Sequence, residues 1–270
     1  VGEKYEHLLV EDPGDICRVV INRPHDRNSL NSEIMEELTD LIVRRERAET
    51  RAMIFTGAGK TYFIGGADGI EMMQCDTDSA KGFSQRIQGL FNRMEASPLI
   101  LVAAINGLCF GGGFEFAMAC DLRIASTEAR IGLPEVKVGL IPGGGGTQRL
   151  PRLVGEGTAI EMILSGRLYK GRDAADMGLV HRVVEQKNVL EAADQALESI
   201  LRQPQYAISL AKHAVHASRE PLESGLKVEK EQFARCFEHH FFADLMRRQI
   251  REGVLRTTAD KSRLIGENQG

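Results

Sequence analysis

Two glutamates occupy positions where a carboxylate needs a reason to be. Glu115 is the only formally charged side chain between Leu101 and Cys120, inside the run GGGFEFAMAC. Burying a lone carboxylate is costly unless it is compensated. Glu135 follows 20 residues later. Between them lie a strand signal at Leu122 to Ala125 and a turn at Ser126 to Arg130, enough chain to return beside its start. Three segments surround these acids: FIGGADGIEM (63–72), INGLCFGGGFEFAMACD (105–121) and IGLPEVKVGLIPGGGGTQRLPR (131–152). Each puts glycine at a junction between elements, where a ligand can approach bare N–H groups. Free N–H groups at a helix start are good donors to developing negative charge. A pair of them from different loops can grip one carbonyl oxygen as an oxyanion hole. Two carboxylates near such a pair can position water and transfer protons. From the residues alone, Glu115 reads equally as a structural acid, paired with an arginine or capping N–H groups. Pro134-Glu135 also fits a plain turn or helix start, and Gly111–Gly113 and Gly143–Gly146 fit tight packing.

The elements that must position these residues alternate between strand and helix. His7 to Glu11 and Ile16 to Ile21 read as strands split by the turn Asp12-Pro13-Gly14-Asp15. Asn31 or Ser32 can cap a helix whose Ile34, Leu38, Leu41 and Ile42 share one face. Ala52 to Thr56 and Leu99 to Ile105 read as buried strands, the second apolar on both faces as in a covered parallel sheet, with a helix at Ser79 to Ala96 between them. This predicts an α/β layered core over residues 1–190. The strand signals stop near residue 185, and Val189 to Arg202, Tyr206 to Ser218 and Leu222 to Phe242 read as helices. Leu222, Leu226, Phe233 and Phe237 form one apolar stripe that must pack on the main body or on a neighbouring subunit. Residues 191–270 therefore read as a helical appendage without an independent core.

Composition removes several classes. A hydrophobic share of 43%, a charged share of 27% and a net charge of −4 are ordinary for a globular chain and leave no electrostatic footprint for nucleic acid. The longest apolar run, Pro98 to Ile105, is too short to span a bilayer. Five scattered cysteines without a Cys-x-x-Cys pair read as reduced thiols of an intracellular protein. The first residues, VGEKYEHLLVED, hold no apolar signal core, and the missing initial Met reads as a trimmed end. GAGKT at Gly57 to Thr61 resembles the end of a phosphate loop, but Ile54 stands where that pattern needs its first glycine. Gly143 to Gly146 lead into Thr-Gln and fail the same test. His213 with His216, and His239 with His240, lack further ligands at a metal spacing, so no metal is expected.

The spaced motifs AAINGLCFGGGFEFAMACDLRIAS and IGLPEVKVGLIPGGGGTQRLPRLVG resemble the crotonase, or enoyl-CoA hydratase/isomerase, superfamily, from about Tyr5 to Gly253. The resemblance implies a spiral of ββα units with C-terminal helices used in trimer assembly, as a homotrimer or a dimer of trimers. It implies that the N–H groups of Ala67 and Gly112 hold the thioester oxygen of an acyl-CoA. It puts Glu115 and Glu135 where the hydratase branch keeps its paired acids. Isomerase and other branches often retain one, so having both favours a hydratase over an isomerase, lyase or hydrolase. A non-catalytic or RNA-binding member of the family is disfavoured by the acidic balance. Along the substrate and its CoA the resemblance places Arg27, Ser29, Leu30, Gly65, Gly66, Asp68, Ile70, Gly111, Pro134, Gly143 and Lys261. Asp68 reads as a helix cap that fixes the oxyanion loop, and Arg27 equally as a solvated surface residue. Gly143 or Gly144 lines the acyl pocket, or serves packing alone. Water addition requires no redox cofactor or metal, with coenzyme A arriving as part of the substrate. The family setting implies a bacterial cytoplasm or mitochondrial matrix. Ile70 stands where many hydratases carry Lys, and EGVLRTTADKS departs from the usual C-terminal pattern, with Thr257 at a common aromatic position. These departures fall in the acyl and CoA pockets and leave the two acids in place.

Overall fold

A computed structural model of the chain describes residues 5–11, 14–252 and 254. Lys261, Thr257 and the Asp12-Pro13 half of the expected turn lie outside the described residues. The described chain divides into two compact units, which meet in sequence between Gln205 and Tyr206.

The first unit is a spiral of strand–strand–helix turns. It opens with β1 (Leu8–Glu11), β2 (Ile16–Ile21) and α1 (Ser32–Glu46). Asn31 caps α1, its side chain accepting the Ile34 N–H at 3.0 Å, and Ile34, Met35, Leu38, Leu41 and Ile42 are buried. Next come β3 (Ala52–Gly57), β4 (Tyr62–Ile64), α2 (Gly69–Met73) and α3 (Thr77–Ala96). The following turn contains β5 (Ile100–Ile105), β6 (Leu108–Phe110) and α4 (Gly112–Ala119). Then follow β7 (Leu122–Ser126), β8 (Arg130–Gly132), a 3-10 turn at Glu135–Val138, α5 (Gly146–Val154) and α6 (Glu156–Ser165). The unit closes with β9 (Tyr169–Lys170), α7 (Gly171–Asp176), β10 (Arg182–Val184) and α8 (Val189–Leu201).

After the opening β1–β2 hairpin, which stays in one sheet, each later turn divides its two strands between two sheets. The larger sheet runs β1-β2-β3-β5-β7-β10 and the smaller β4-β6-β8-β9. All pairs are parallel except β1 with β2 and β8 with β9. Both β3 and β5 are buried along their whole length, as expected for parallel strands covered on both faces. Because β4, β6 and β8 are adjacent and parallel, the loops leaving their C-terminal ends emerge side by side. That edge is where open α/β sheets bind ligands.

Helix α4 is seated at the centre of this arrangement. The Phe116 ring meets Phe55, Phe63 and Phe91 edge-on at 5.2, 6.1 and 6.0 Å, a favoured aromatic geometry. Its C-terminal end is closed by the buried Arg123, whose Nη1 donates to the Cys120 carbonyl at 2.9 Å. A cation there complements the helix dipole.

The strand signals place the domain boundary at 190, whereas α8 belongs to the first unit and is tied there by an Arg18–Asp194 ion pair of 2.7 Å. The second unit contains α9 (Gln205–His216) from Tyr206 onward, α10 (Leu222–Arg235) and α11 (Phe241–Arg251). One helix over Leu222 to Phe242 is not what forms. The chain tightens to a 3-10 turn at Cys236–Glu238 and His239 is extended, its ring stacked on Tyr206 at 3.7 Å. Leu222, Leu226, Phe233 and Phe237 are exposed. No helix among the described residues is long and apolar enough to cross a membrane.

Candidate active site

The loop after β4 carries Gly65, Gly66 and Ala67, and an isolated parallel bridge pairs Ala67 with Leu30. Leu30 donates its N–H to the Gly66 carbonyl at 2.9 Å, and its carbonyl accepts from the Asp68 N–H at 2.8 Å. In such a bridge the groups on either side of Ala67 are engaged, and Ala67's own N–H faces away from the partner. Gly66 reaches its conformation with φ of +100°, which glycine adopts freely. A Cβ built on Gly112 would lie 3.1 Å from the Ala67 nitrogen, which puts the loops after β4 and β6 in contact. Gly112 is the first residue of α4, where an N–H has no intrahelical acceptor. Neither the Ala67 nor the Gly112 N–H donates to another protein group among the described residues. The pair is suited to receive one oxygen.

Glu115, in the first turn of α4, is 2% exposed. Its Oε1 accepts two N–H bonds, from Gly144 in the loop before α5 at 2.9 Å and from Gly146, the first residue of α5, at 2.7 Å. A Cβ on Gly144 would fall 2.6 Å from Glu115 Oε2, so only glycine lets this loop close on the acid. Burial raises the Glu115 pKa above the ordinary glutamate value, opposed by the Gly146 and Gly144 N–H groups and by the charge of Arg149.

Glu135 opens the 3-10 turn after β8. A Cβ on Gly111 would lie 3.4 Å from Glu135 Oε1, so this acid faces the start of α4. Both its carboxylate oxygens are buried, and neither has a hydrogen-bond partner among the described residues. Burial, and secondarily the Glu115 charge, pushes its pKa up to about 7 against the pull of its own N–H. The two acids thus differ in kind. Glu115 accepts two backbone N–H bonds and faces the charge of Arg149, while the Glu135 carboxyl has neither and its pKa is pushed up to about 7. Such a divergence of environments is how paired carboxyls divide acid and base work.

Asp68 caps α2, its Oδ1 accepting the Ile70 and Glu71 N–H groups at 2.9 and 3.1 Å. Arg23 binds its other oxygen at 3.0 Å and the Ser29 carbonyl at 2.9 Å, tying the oxyanion loop to the segment before α1. Arg27 is exposed, but its carbonyl accepts the Gly65 N–H at 2.9 Å. Ser29 and Leu30 are buried beneath that loop. Ile70 is 68% exposed on α2. Gly111 and Pro134 directly precede the two site turns. Gly143 is exposed, its carbonyl held by Ser84 Oγ at 2.7 Å and Gln88 Nε2 at 2.8 Å.

Sequence reasoning missed Arg23, Arg149, Glu95 and the donor role of Gly144 and Gly146. Their residue types, in polar stretches, look like ordinary surface composition. Among the described residues no three His, Cys, Asp or Glu side chains gather as a metal site.

The paired sheets, the strand–strand–helix spiral and a site at three adjacent strand ends define the crotonase fold. The enoyl-CoA hydratase/isomerase family model matches residues 11–253, and the chain belongs to that family. A short-chain-enoyl-CoA hydratase of Clostridium acetobutylicum is 39% identical over 233 residues, covering 86% of this chain and 89% of the relative. A crotonyl-CoA hydratase of Syntrophomonas wolfei is 34% identical, covering 86% and 90%. The crystal structure of an enoyl-CoA hydratase from Bacillus anthracis superposes with a TM-score of 0.86 at 33% identity, covering 92% of this chain and 97% of that one. The chain is an enzyme of this superfamily with enoyl-CoA hydratase-type activity.

Proposed function

We propose that the enzyme adds water across the 2,3 double bond of a short 2-enoyl-CoA to give the 3-hydroxyacyl-CoA. The observation that carries this reading is the convergence of two free N–H groups with two buried acids of unlike environment. The thioester oxygen sits between the Ala67 and Gly112 N–H groups, which draws electron density from C3 and stabilises the enolate formed on attack. Losing one such donor typically costs roughly 3–4 kcal/mol of transition-state stabilisation. Water held between the carboxyls gives its oxygen to C3 and a proton to Glu115. Glu135 delivers a proton to C2. Passage of a proton from Glu115 to Glu135 restores both acids, so the balance is one water added and no electrons gained or lost. The reaction therefore calls on no metal or redox group, and coenzyme A enters with the substrate. Short chains are favoured by the names of the relatives.

The exposed apolar residues of α10 support assembly as a homotrimer or dimer of trimers, which a monomer mass by light scattering would refute. The five cysteines, none of them in a disulfide, fit an intracellular compartment.

Incubation with crotonyl-CoA in heavy-oxygen water tests the chemistry. Mass spectrometry is expected to find one heavy oxygen in the 3-hydroxyacyl product. A double-bond shift in a 3-enoyl-CoA, with no heavy oxygen incorporated from any enoyl-CoA, would point to an isomerase instead.

A further inference from the structure

The hydrogen bonds that hold Glu115 come from a loop of four glycines, a segment with little conformational preference of its own. Something must fix it. Helix α3 holds it at one point and α5 at another. Ser84 and Gln88 bind the Gly143 carbonyl. The Gly144 carbonyl accepts from Arg149 Nη1 at 2.9 Å, while the Gly144 N–H donates to Glu115. One residue is thus held from both ends, by the acid on one side and the guanidinium on the other.

Arg149 is itself immobilised. Its Nε and Nη2 donate to the two carboxylate oxygens of Glu95 at 3.0 and 3.1 Å, and Nη2 also reaches Asn92 Oδ1 at 2.8 Å. The guanidinium lies 5.9 Å from the centre of the Phe91 ring. Its side chain is 10% exposed and that of Glu95 12%. Space for it exists because residue 145 lacks a side chain, since a Cβ there would lie 2.2 Å from Arg149 Nη1. A buried ion pair is weak evidence for stability, because well-packed apolar residues often serve as well. An apolar replacement could not donate to the Gly144 carbonyl.

We propose that Arg149, braced by Glu95, is a positioning residue for Glu115: it fixes the Gly144–Gly146 loop so that both N–H groups meet the carboxylate. This rests on the hydratase reading above. The charged groups facing Glu115 are Arg149 from α5 and Glu135 from the 3-10 turn, with Glu95 of α3 behind the arginine. Arg149 also favours the ionised form of Glu115, so the brace acts on both geometry and charge.

Steady-state hydration of crotonyl-CoA, measured across pH for the full-length parent, Arg149→Gln, Arg149→Lys and Glu95→Gln, tests this. Arg149→Gln is expected to lower kcat about 100-fold, the scale of a small misplacement of a reacting group. KM should stay within about threefold, because substrate binding is not removed. The acid limb of kcat should move to higher pH as Glu115 loses a stabilising cation. Arg149→Lys should restore the limb but not kcat, since an ammonium lacks the planar fork that spans Glu95 and the Gly144 carbonyl. Glu95→Gln should fall between parent and Arg149→Gln. An Arg149→Gln variant with kcat within twofold of the parent, or a reduced kcat with an unmoved acid limb, overturns the proposal. If Arg149→Gln does not fold, the kcat and limb of Glu95→Gln decide in the same way. A parent that hydrates no enoyl-CoA overturns the hydratase reading and this proposal together, whereas an active parent with unaffected variants overturns this proposal alone.

Discussion

Glu135→Gln should lose turnover and gain stability at alkaline pH in the same protein. The loss follows from the proposed role as proton donor to C2, because a glutamine cannot deliver that proton. Removing a placed acid–base group typically lowers rate roughly 10²- to 10⁴-fold. The gain follows from burial without a partner. Both oxygens of Glu135 are buried and unbonded, and its pKa rises from 4.5 to about 7. Below pH 4.5 both folded and unfolded chains hold the proton. As pH rises towards 7 the unfolded chain sheds it first, so the folded state loses relative stability until its own carboxyl ionises. The shift corresponds to about 3 kcal/mol above pH 7, as an upper bound for a half-buried group. Urea unfolding at pH 4 and pH 8 should therefore find the variant close to the parent at the lower pH and more stable at the higher. Glu115→Gln should also lose turnover while keeping the loop, because its amide oxygen can accept both glycine N–H groups. If Glu135→Gln keeps parental kcat, or its stability relative to the parent is the same at both pH values, the assignment of this acid is wrong.

Gly113→Ala should be among the most damaging single-methyl additions available to the chain. A Cβ at this position would lie 2.1 Å from the Ile64 carbonyl oxygen and 2.8 Å from the Ile64 carbonyl carbon. The obstacle is backbone, and Ile64 is fixed by its pairing with Cys109 between β4 and β6. The helix must therefore lift away from the sheet that carries Ala67. Overpacking a core commonly costs 1–3 kcal/mol, and a clash with paired backbone belongs at or above roughly 3 kcal/mol. Separating α4 from β4 would also part the two oxyanion donors, so any folded fraction should lose kcat. The same substitution at Gly89 is the control. That residue lies within α3 with nothing within 4 Å of an added Cβ, so alanine there should stabilise by about 1 kcal/mol. Thermal unfolding of the two variants beside the parent measures the contrast. Equal melting temperatures for Gly113→Ala and the parent would mean that α4 does not sit on β4 this closely.

Long elements with clear apolar periodicity were readable from residues alone. Helix α1 shows its buried face through Ile34, Leu38, Leu41 and Ile42, and β5 shows burial on both faces as an unbroken apolar run. The smaller sheet was not legible. Its strands are two or three residues long, too short to display a period, and they end in glycines that look like turns. Yet this sheet brings the site together. Glu115 was visible because it is a lone charge in an apolar run. Glu135 was a weaker signal, a candidate by its spacing from Glu115 but equally a plain turn or helix start after Pro134. Arg149 and Arg23 gave no signal, since an arginine buried by a loop and one on the surface have the same sequence appearance. The break after Arg235 escaped notice because Cys236–Glu238 contains no proline or glycine to mark it.

The central claim is geometric: two main-chain donors and two acids meet at one thioester. A crystal structure of the enzyme with a saturated short-chain acyl-CoA, which cannot be hydrated, tests it most directly. The account predicts the thioester oxygen within about 2.7–3.1 Å of both the Ala67 and Gly112 nitrogens, with C3 facing the space between Glu115 and Glu135. A thioester bound elsewhere, or gripped by one nitrogen with its C3 turned away from both carboxyls, would contradict it.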